Sequence, residues 1–352
     1  GYLAFYWCSG FDGTLTLPST LASIGDYAFY ECSGLDGTLT LPSTLETIGD
    51  HAFEYCSGLT GDLVIHDGVT SIGDYAFGSC SGFDGSLTLP STLATIGNSV
   101  FYGCSGLTGN LVIPEGVTSI GSSAFSWCSG LDGTLTLPST LASIGNSVFY
   151  GCSGLTGNLV IPEGVTSIGD YAFHYCSGLT GITVESGNLY YSSVDGMLLS
   201  KDGTVLIQCP GGKTGSLVIP EGVTSIGDYA FSDCDGLTGD LVIPEGVTSI
   251  GDSAFSGCGG LASVTFMGDA PTTMGSDVFA DMSNDLIIYY QPGASGFDAP
   301  EWQGIDLEMI PNRAPRFRII GNKTIKAGQT ITFEVIADDE DANTLEYSAS
   351  NP

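Results

Sequence analysis

The sequence repeats itself every 24 residues, and that period decides most of what the chain can fold into. Eight cysteines keep the beat, at Cys8, Cys32, Cys56, Cys80, Cys104, Cys128, Cys152 and Cys176, and a phenylalanine stands three residues before each. The stretch from Gly97 to Gly121, GNSVFYGCSGLTGNLVIPEGVTSIG, recurs without a change at Gly145 to Gly169. A fixed period of this length marks a solenoid, in which each unit forms one coil and buries its apolar face only by stacking on the next. The length of 352 residues therefore does not imply two or three globular domains, because a solenoid lengthens without enlarging its core.

The unit from Thr14 to Gly37 shows how a coil is built. Leu15 and Leu17 alternate with Thr14 and Thr16, the period of a strand. Pro18 ends that strand, since it cannot continue a ladder of hydrogen bonds. Leu21 and Ile24 point back inward, and Gly25 turns the chain. Ala28, Phe29 and Cys32 follow at spacings of one and three, which predicts a single helical turn. Stacked coils would align the pairs Phe29 and Cys32, Phe53 and Cys56, Phe77 and Cys80, Phe101 and Cys104, Phe125 and Cys128, Phe149 and Cys152, and Phe173 and Cys176 into a structural ladder. Neighbouring coils about 4.8 Å apart are close enough for a disulfide, but parallel side chains in register hold their Cβ atoms farther apart than the usual ~3.8 Å. Buried, reduced thiols are the expectation. Cys209 falls outside the ladder and makes the total odd, at 11.

The run LVIPEGVTSIGDYAFSDCDGL from Leu217 to Leu237 resembles the BspA-like, or Treponema-type, leucine-rich repeats. The resemblance extends over roughly residues 1–310, through recurring IP or LP, SIG, AF or VF, and Cys. One residue departs from the family pattern: an extra Gly in LTGNL lengthens the coil to 24, where the family more often has 23. The resemblance implies a leucine-rich repeat solenoid, a secreted or surface-attached setting, and adhesion as the class of role.

The beat breaks after Cys176, and the next repeat cysteine is Cys234. Residues 1–181 thus read as leucine-rich repeat coils, 182–213 as an irregular hairpin insert, and 214–258 as resumed coils. In the insert, Asp202-Gly203 between two apolar runs signals a hairpin, and SVDGMLLSKDGTVLIQCP resembles an insert common in the same family. Residues 259–310 carry Met274 and Met282 in place of the repeat's Ile and Cys, as expected of a terminal cap. Residues 311–352 read as a linker and a partial domain. There Ile331, Phe333 and Val335 alternate with Thr330, Thr332 and Glu334, a half-buried strand. This segment resembles the start of immunoglobulin-like or cadherin-like domains, and implies a truncated all-β sandwich.

Charge narrows the function. Asp and Glu number 39 against 7 Lys and Arg, and no Lys or Arg precedes Lys201. Nucleic acid and anionic lipid need basic contacts and are poor partners for such a surface. No run of 18 apolar residues exists to span a membrane. His51, His66 and His174 fall in different repeat columns, with no triad, phosphate loop or HExxH motif, so catalysis is not expected. No cofactor is required, and calcium is an optional ligand at two places. One is the column Asp26, Asp50 and Asp74, continued by Asn98, Ser122, Asn146 and Asp170; a solvated acidic turn, which favours Asp and Asn anyway, is the preferred account of it and of the second place. The other is Asp338, Asp339, Asp341 and Asn343, where the cadherin-like resemblance implies calcium. The candidate binding residues are the variable aromatics around the Phe column: Tyr27, Tyr30, Tyr75, Tyr102, Trp127, Tyr171, Tyr175 and Tyr229. The alternative is that they pack as half-buried rims between coils. The expectation is a non-enzymatic extracellular surface protein with a solenoid face for a protein or glycan. The competing one is a building block or spacer of a surface layer or filament, whose partner is a copy of itself.

Overall fold

A computed structural model describes residues 1–283, 285–297, 301–302 and 304–310, with Arg316, Phe317, Ala337 and Asp338. The repeat becomes a stack of coils joined by short parallel strands, in most of which a residue pairs with its equivalent in the next coil. Leu111 faces Leu135, and Ile120 faces Ile144. Within a strand the pleat sends Leu111 into the core and leaves Val112 55% exposed. The extra Gly of the 24-residue coil has a local cause. At Gly157, φ is 81°, a left-handed conformation that a Cβ would strain, and the register shifts between Gly157 and Asn158 where the next coil lacks the added residue.

The expected helical turn does not form, and the described residues contain no helix. The segment after each SIG strand is instead a run of turns whose N–H groups point alternately in two directions. Ala124, Ser126 and Cys128 donate back to Gly121, Ser123 and Phe125 at 3.3, 3.1 and 3.2 Å. Ser123, Phe125 and Trp127 donate forward to Asn146, Val148 and Tyr150 of the next coil at 2.8, 2.9 and 2.6 Å. A helix would keep every N–H for its own carbonyls. Ser123 and Trp127, at φ 56° and 62°, are left-handed and break any helical run.

Phe and Cys of these turns fill the core. The rings of Phe77, Phe101 and Phe125 stack at 5.7 and 5.2 Å, the offset spacing that aromatic faces prefer. Each ladder thiol donates to the carbonyl of the Phe one coil earlier, as Cys104 Sγ does to Phe77 O and Cys128 Sγ to Phe101 O, both at 3.0 Å. The sulfur thereby satisfies a carbonyl while packing as a small hydrophobe.

The insert is a three-strand antiparallel meander, Tyr191–Val194, Met197–Ser200 and Val205–Gln208, whose last strand pairs in parallel with Ser225–Ile226. It lies inside the stack and divides the core. Leu198 joins the apolar cluster of the preceding coils, while Met197 and Leu199 join that of the following ones. Asn188 anchors its entry: fully buried, it donates to Pro162 O and Val165 O at 3.0 and 2.8 Å and accepts from Tyr190 and Tyr191 N–H. Beyond the resumed coils, Leu261–Phe266, Ile287–Tyr290 and Ile305–Met309 extend one parallel sheet. Glu301–Trp302 folds back antiparallel on the last strand, and Trp302 meets Phe266 and Phe297, both at 5.1 Å.

The sandwich expected at the C-terminus lies almost wholly outside the described residues. Arg316–Phe317 pairs antiparallel with Ala337–Asp338. Of the calcium candidates there, Asp338 is in that strand, and Asp339, Asp341 and Asn343 lie outside the described residues.

Candidate functional site

The eight aromatic candidates fall into three columns on the turn face. Tyr27, Tyr75, Tyr171 and Tyr229 hold the first left-handed position, at φ 55° to 59°, and Trp127 and Tyr175 the second, at 62° and 57°. Tyr30 and Tyr102 follow the core Phe directly. A left-handed conformation costs a residue with a Cβ about 1–2 kcal/mol, so these rings sit where glycine would be less strained. Because Ala, Phe and Cys of the same turns face inward, the left-handed positions face out: Tyr75, Trp127, Tyr171 and Tyr175 are exposed, and Tyr27 and Tyr229 half-buried; in the column after the core Phe, Tyr102 is exposed and Tyr30 half-buried.

The rings gather into two patches. In the first, Tyr27, His51 and Tyr75 stack in sequence at 4.5 and 5.0 Å, with Tyr30 at 5.5 Å from Tyr27 and 5.8 Å from Tyr55. In the second, Tyr150 lies 5.3 Å from both Trp127 and Tyr175, and Tyr171 lies 4.9 Å from Tyr229. Ser99, Gly103 and Ser123 occupy the left-handed columns between the patches, and Tyr102 joins neither by ring contact among the described residues. Sequence reading missed Tyr55 and Tyr150, although they share columns with Trp127 and Tyr30. It also missed His51 and His174, for which column position was the only available signal.

Charge and burial tune the patches. His51 Nδ1 lies 2.6 Å from Glu54 Oε2. Burial pushes the Glu54 carboxyl above its ordinary value, and the His51 contact opposes that shift. Burial, helped by Glu54, pushes Tyr30 up to about 12. Tyr175 is raised first by burial and then by Asp233. His174 is almost fully buried, its Nδ1 has no hydrogen-bond partner among the described residues, and burial lowers its basicity against the pull of Asp233.

The acidic column has structural work of its own. Asp50 Oδ1 accepts from Asp74 N–H at 2.9 Å, Asp74 from Asn98 at 2.7 Å, and Asn98 from Ser122 at 3.0 Å. Asn146 accepts from Asp170 at 3.1 Å, while Asp26 accepts from Asp50 at 3.0 Å. Each side chain thus caps a backbone donor of the next coil, which explains the preference for Asp and Asn there without a cation. Among the described residues no group of three or more His, Cys, Asp or Glu is placed to hold a metal.

The in-register coils, the Phe–Cys ladder and the SIG strands agree with a family model, the BspA-type leucine-rich repeat region, which matches residues 1–132, 95–194 and 211–299 in 6 copies. The chain belongs to the BspA-type leucine-rich repeat family. Solved structures share this fold. A leucine-rich cell surface protein from Faecalibacterium prausnitzii aligns at 28% identity over 85% of this chain and 86% of that one, with a TM-score of 0.65. A leucine-rich repeat protein from Bacteroides ovatus aligns at 23% identity, covering 88% and 87%, with a TM-score of 0.51. The pneumococcal vaccine antigen PcpA aligns at 19% identity, covering 84% and 96%, with a TM-score of 0.50. No curated protein sequence matches this chain significantly. No helix among the described residues of this BspA-type repeat protein is long and apolar enough to cross a membrane.

Proposed function

We propose that this BspA-type chain is a non-enzymatic, extracellular, cell-surface protein whose turn face adheres to a protein or glycan through its aromatic columns. The observation that carries the reading is the placement of Tyr75, Trp127, Tyr171 and Tyr175 outward on left-handed turns. Strained positions and exposed aromatic rings both concentrate at recognition surfaces. The cell-surface description of the Faecalibacterium relative supports the location. The test is binding of the purified chain to arrays of matrix proteins and glycans, beside Tyr75→Ala and Trp127→Ala variants. A captured ligand released by either variant supports the reading; capture that neither variant weakens sinks the role of the columns.

A second reading has one observation in its favour. The copied unit at Gly97–Gly121 and Gly145–Gly169 repeats its surface as well as its core, which suits a building block that packs against copies of itself. Sedimentation across protein concentration, with calcium and with chelator, separates the two. Ordered polymers favour the structural role, and a monomer indifferent to calcium favours adhesion.

A further inference from the structure

The copied unit leaves a matched pair of glycines, and only one of them carries a ring. Gly103 and Gly151 hold the same place in the two identical stretches, at φ 69° and 72° in the second left-handed column. One coil earlier in that column stand Ser79 and Trp127. A Cβ at Gly103 would meet nothing nearer than Ser79 Oγ at 3.4 Å, an ordinary contact. A Cβ at Gly151 would lie 2.7, 3.0 and 3.1 Å from Cε3, Cδ2 and Cζ3 of Trp127. Near-equal distances to three consecutive ring carbons mean approach over the face of the ring, since approach to its rim would leave the outer two carbons much farther away than the middle one. The indole therefore lies flat on the Gly151 backbone. Left-handed positions face out, so its other face is turned to solvent, as the 46% exposure of Trp127 requires. Tyr150 packs nearly perpendicular to it, at 5.3 Å and 72°.

A cleft of about 360 Å³ runs from this ring. Tyr175, Ser129, Ser153 and the carboxylates of Asp233 and Asp235 line it with Trp127. The left-handed column continues from Gly151 through Tyr175 to Asp233, so the carboxylates stand two coils beyond the glycine that carries the indole, ~9.6 Å along the stack at the strand spacing. No Lys or Arg lines the cleft.

We propose that this cleft binds an uncharged oligosaccharide, with one pyranose ring stacked on the outer face of Trp127 and later ones reaching Asp233 and Asp235. This rests on the adhesive reading above and takes its glycan form. The C–H groups on one side of a pyranose carry partial positive charge and meet the negative face of the indole. Hydroxyls at the sugar's rim donate to the carboxylates, and hydrogen bonds to an ionised acceptor are the stronger class. The volume is that of a small-ligand site, whereas a standard protein interface takes about 800 Å² a side. A single small cation satisfies the ring or the carboxylates, but not both across ~9.6 Å. Sugars bearing uronate or sulfate meet carboxylates with no basic side chain to pair them.

The test is titration of the full chain with lactose, cellotriose and N,N′-diacetylchitobiose, beside trigalacturonate and tetramethylammonium, read by ligand-observed saturation-transfer NMR. At least one of the neutral sugars is expected to bind saturably, and Trp127→Ala to weaken it about tenfold. Gly151→Ala lifts the ring off its seat and is expected to weaken binding about fivefold. Gly103→Ala imposes the same left-handed strain with no ring above it and is expected to leave binding within about twofold; melting curves report the strain common to both. No binding of any neutral sugar at about 50 mM, equal binding of trigalacturonate or tetramethylammonium, or equal losses in the two glycine variants overturn the proposal. If a matrix protein is captured through Trp127 and no neutral sugar binds, the site falls and the adhesive reading stands. If the sugars bind through Trp127 and the arrays capture nothing, the site stands and adhesion falls.

Discussion

The ladder thiols show how much one side chain does in a repeat. Burial holds Cys104, Cys152 and Cys258 at about 12 and keeps their thiols protonated, so they are poor nucleophiles. All eleven cysteines are free, and Cys8 alone is not buried. A disulfide-exchange reagent at pH 8 should therefore label Cys8 quickly and the others only after denaturation; rapid labelling of several thiols in the native chain would contradict the buried ladder. Cys128→Ala removes both the sulfur and the donor to Phe101 O and should cost about 1–3 kcal/mol. His174 gives a pH signature. Burial among Tyr150, Tyr171, Tyr175 and Tyr229 lowers it from 6.5 in the folded chain, with Asp233 opposing. The unfolded chain then binds more protons, so this contribution is intact above 6.5 and fades as pH falls toward the folded value. Melting temperatures of the native chain and of His174→Phe should diverge between pH 7.5 and 5.5, with the native chain losing more. Parallel curves would show that His174 is not held neutral. The Phe and Cys positions were legible in the sequence because period alone identifies them. His174 was not, since Tyr229, which packs against it at 5.4 Å, stands beyond the insert in the sequence.

At the scale of one coil, sequence and structure part company over a single turn. Spacings of one and three between Ala28, Phe29 and Cys32 suit a helix, and they equally suit consecutive turns closed by bonds such as Cys32 N–H to Phe29 O at 3.1 Å. The two differ in where the intervening N–H groups go, and that is decided by the neighbouring coil. Phe29 N–H goes to Ala52 O at 2.8 Å, a choice no local propensity records. The strand side was read in part: Leu-Thr pairs form strands at Leu87–Thr88 and Leu135–Thr136, but in the unit from Thr14 the strands are Gly13–Thr14 and Ser23–Ile24, and the second was not marked by alternation. The acidic column gives a prediction of its own. Asn98 and Asn146 each cap the next coil, whereas Ser122, in the same column, makes no such bond among the described residues. Ser122→Asn should supply Asn146 N–H with an acceptor and stabilise the fold by about 0.5–1.5 kcal/mol; an unchanged or lower denaturation midpoint would refute the capping role.

Over the whole molecule, the two apolar clusters meet at the insert, where Leu198 and Met197 face opposite ways from one strand. Stack stability is a sum of coil terms and neighbour terms, so the weakest junction sets cooperativity. Leu198→Ala should cost about 2–5 kcal/mol and split calorimetric unfolding into two transitions, the coils before the insert separating from those after it. A single sharp transition in that variant would mean that backbone pairing, not side-chain packing, couples the halves. The division of the chain at Cys176 was visible in the broken period, but the sharing of one strand between two cores was not, because alternation along Met197, Leu198 and Leu199 is hidden when all three are apolar. The register of the stack carries a further consequence. Two identical stretches stand 48 residues apart, at Gly97 and Gly145, and strand pairs such as Ser119 with Ser143 and Ile120 with Ile144 join equivalent positions. An unequal exchange between the two copies of the gene segment deletes or adds a pair of coils and leaves each surviving coil beside a neighbour identical to the one it lost. Descendants of this protein therefore differ most cheaply in reach, by ~9.6 Å a step, as a telescope changes length while its lenses stay the same.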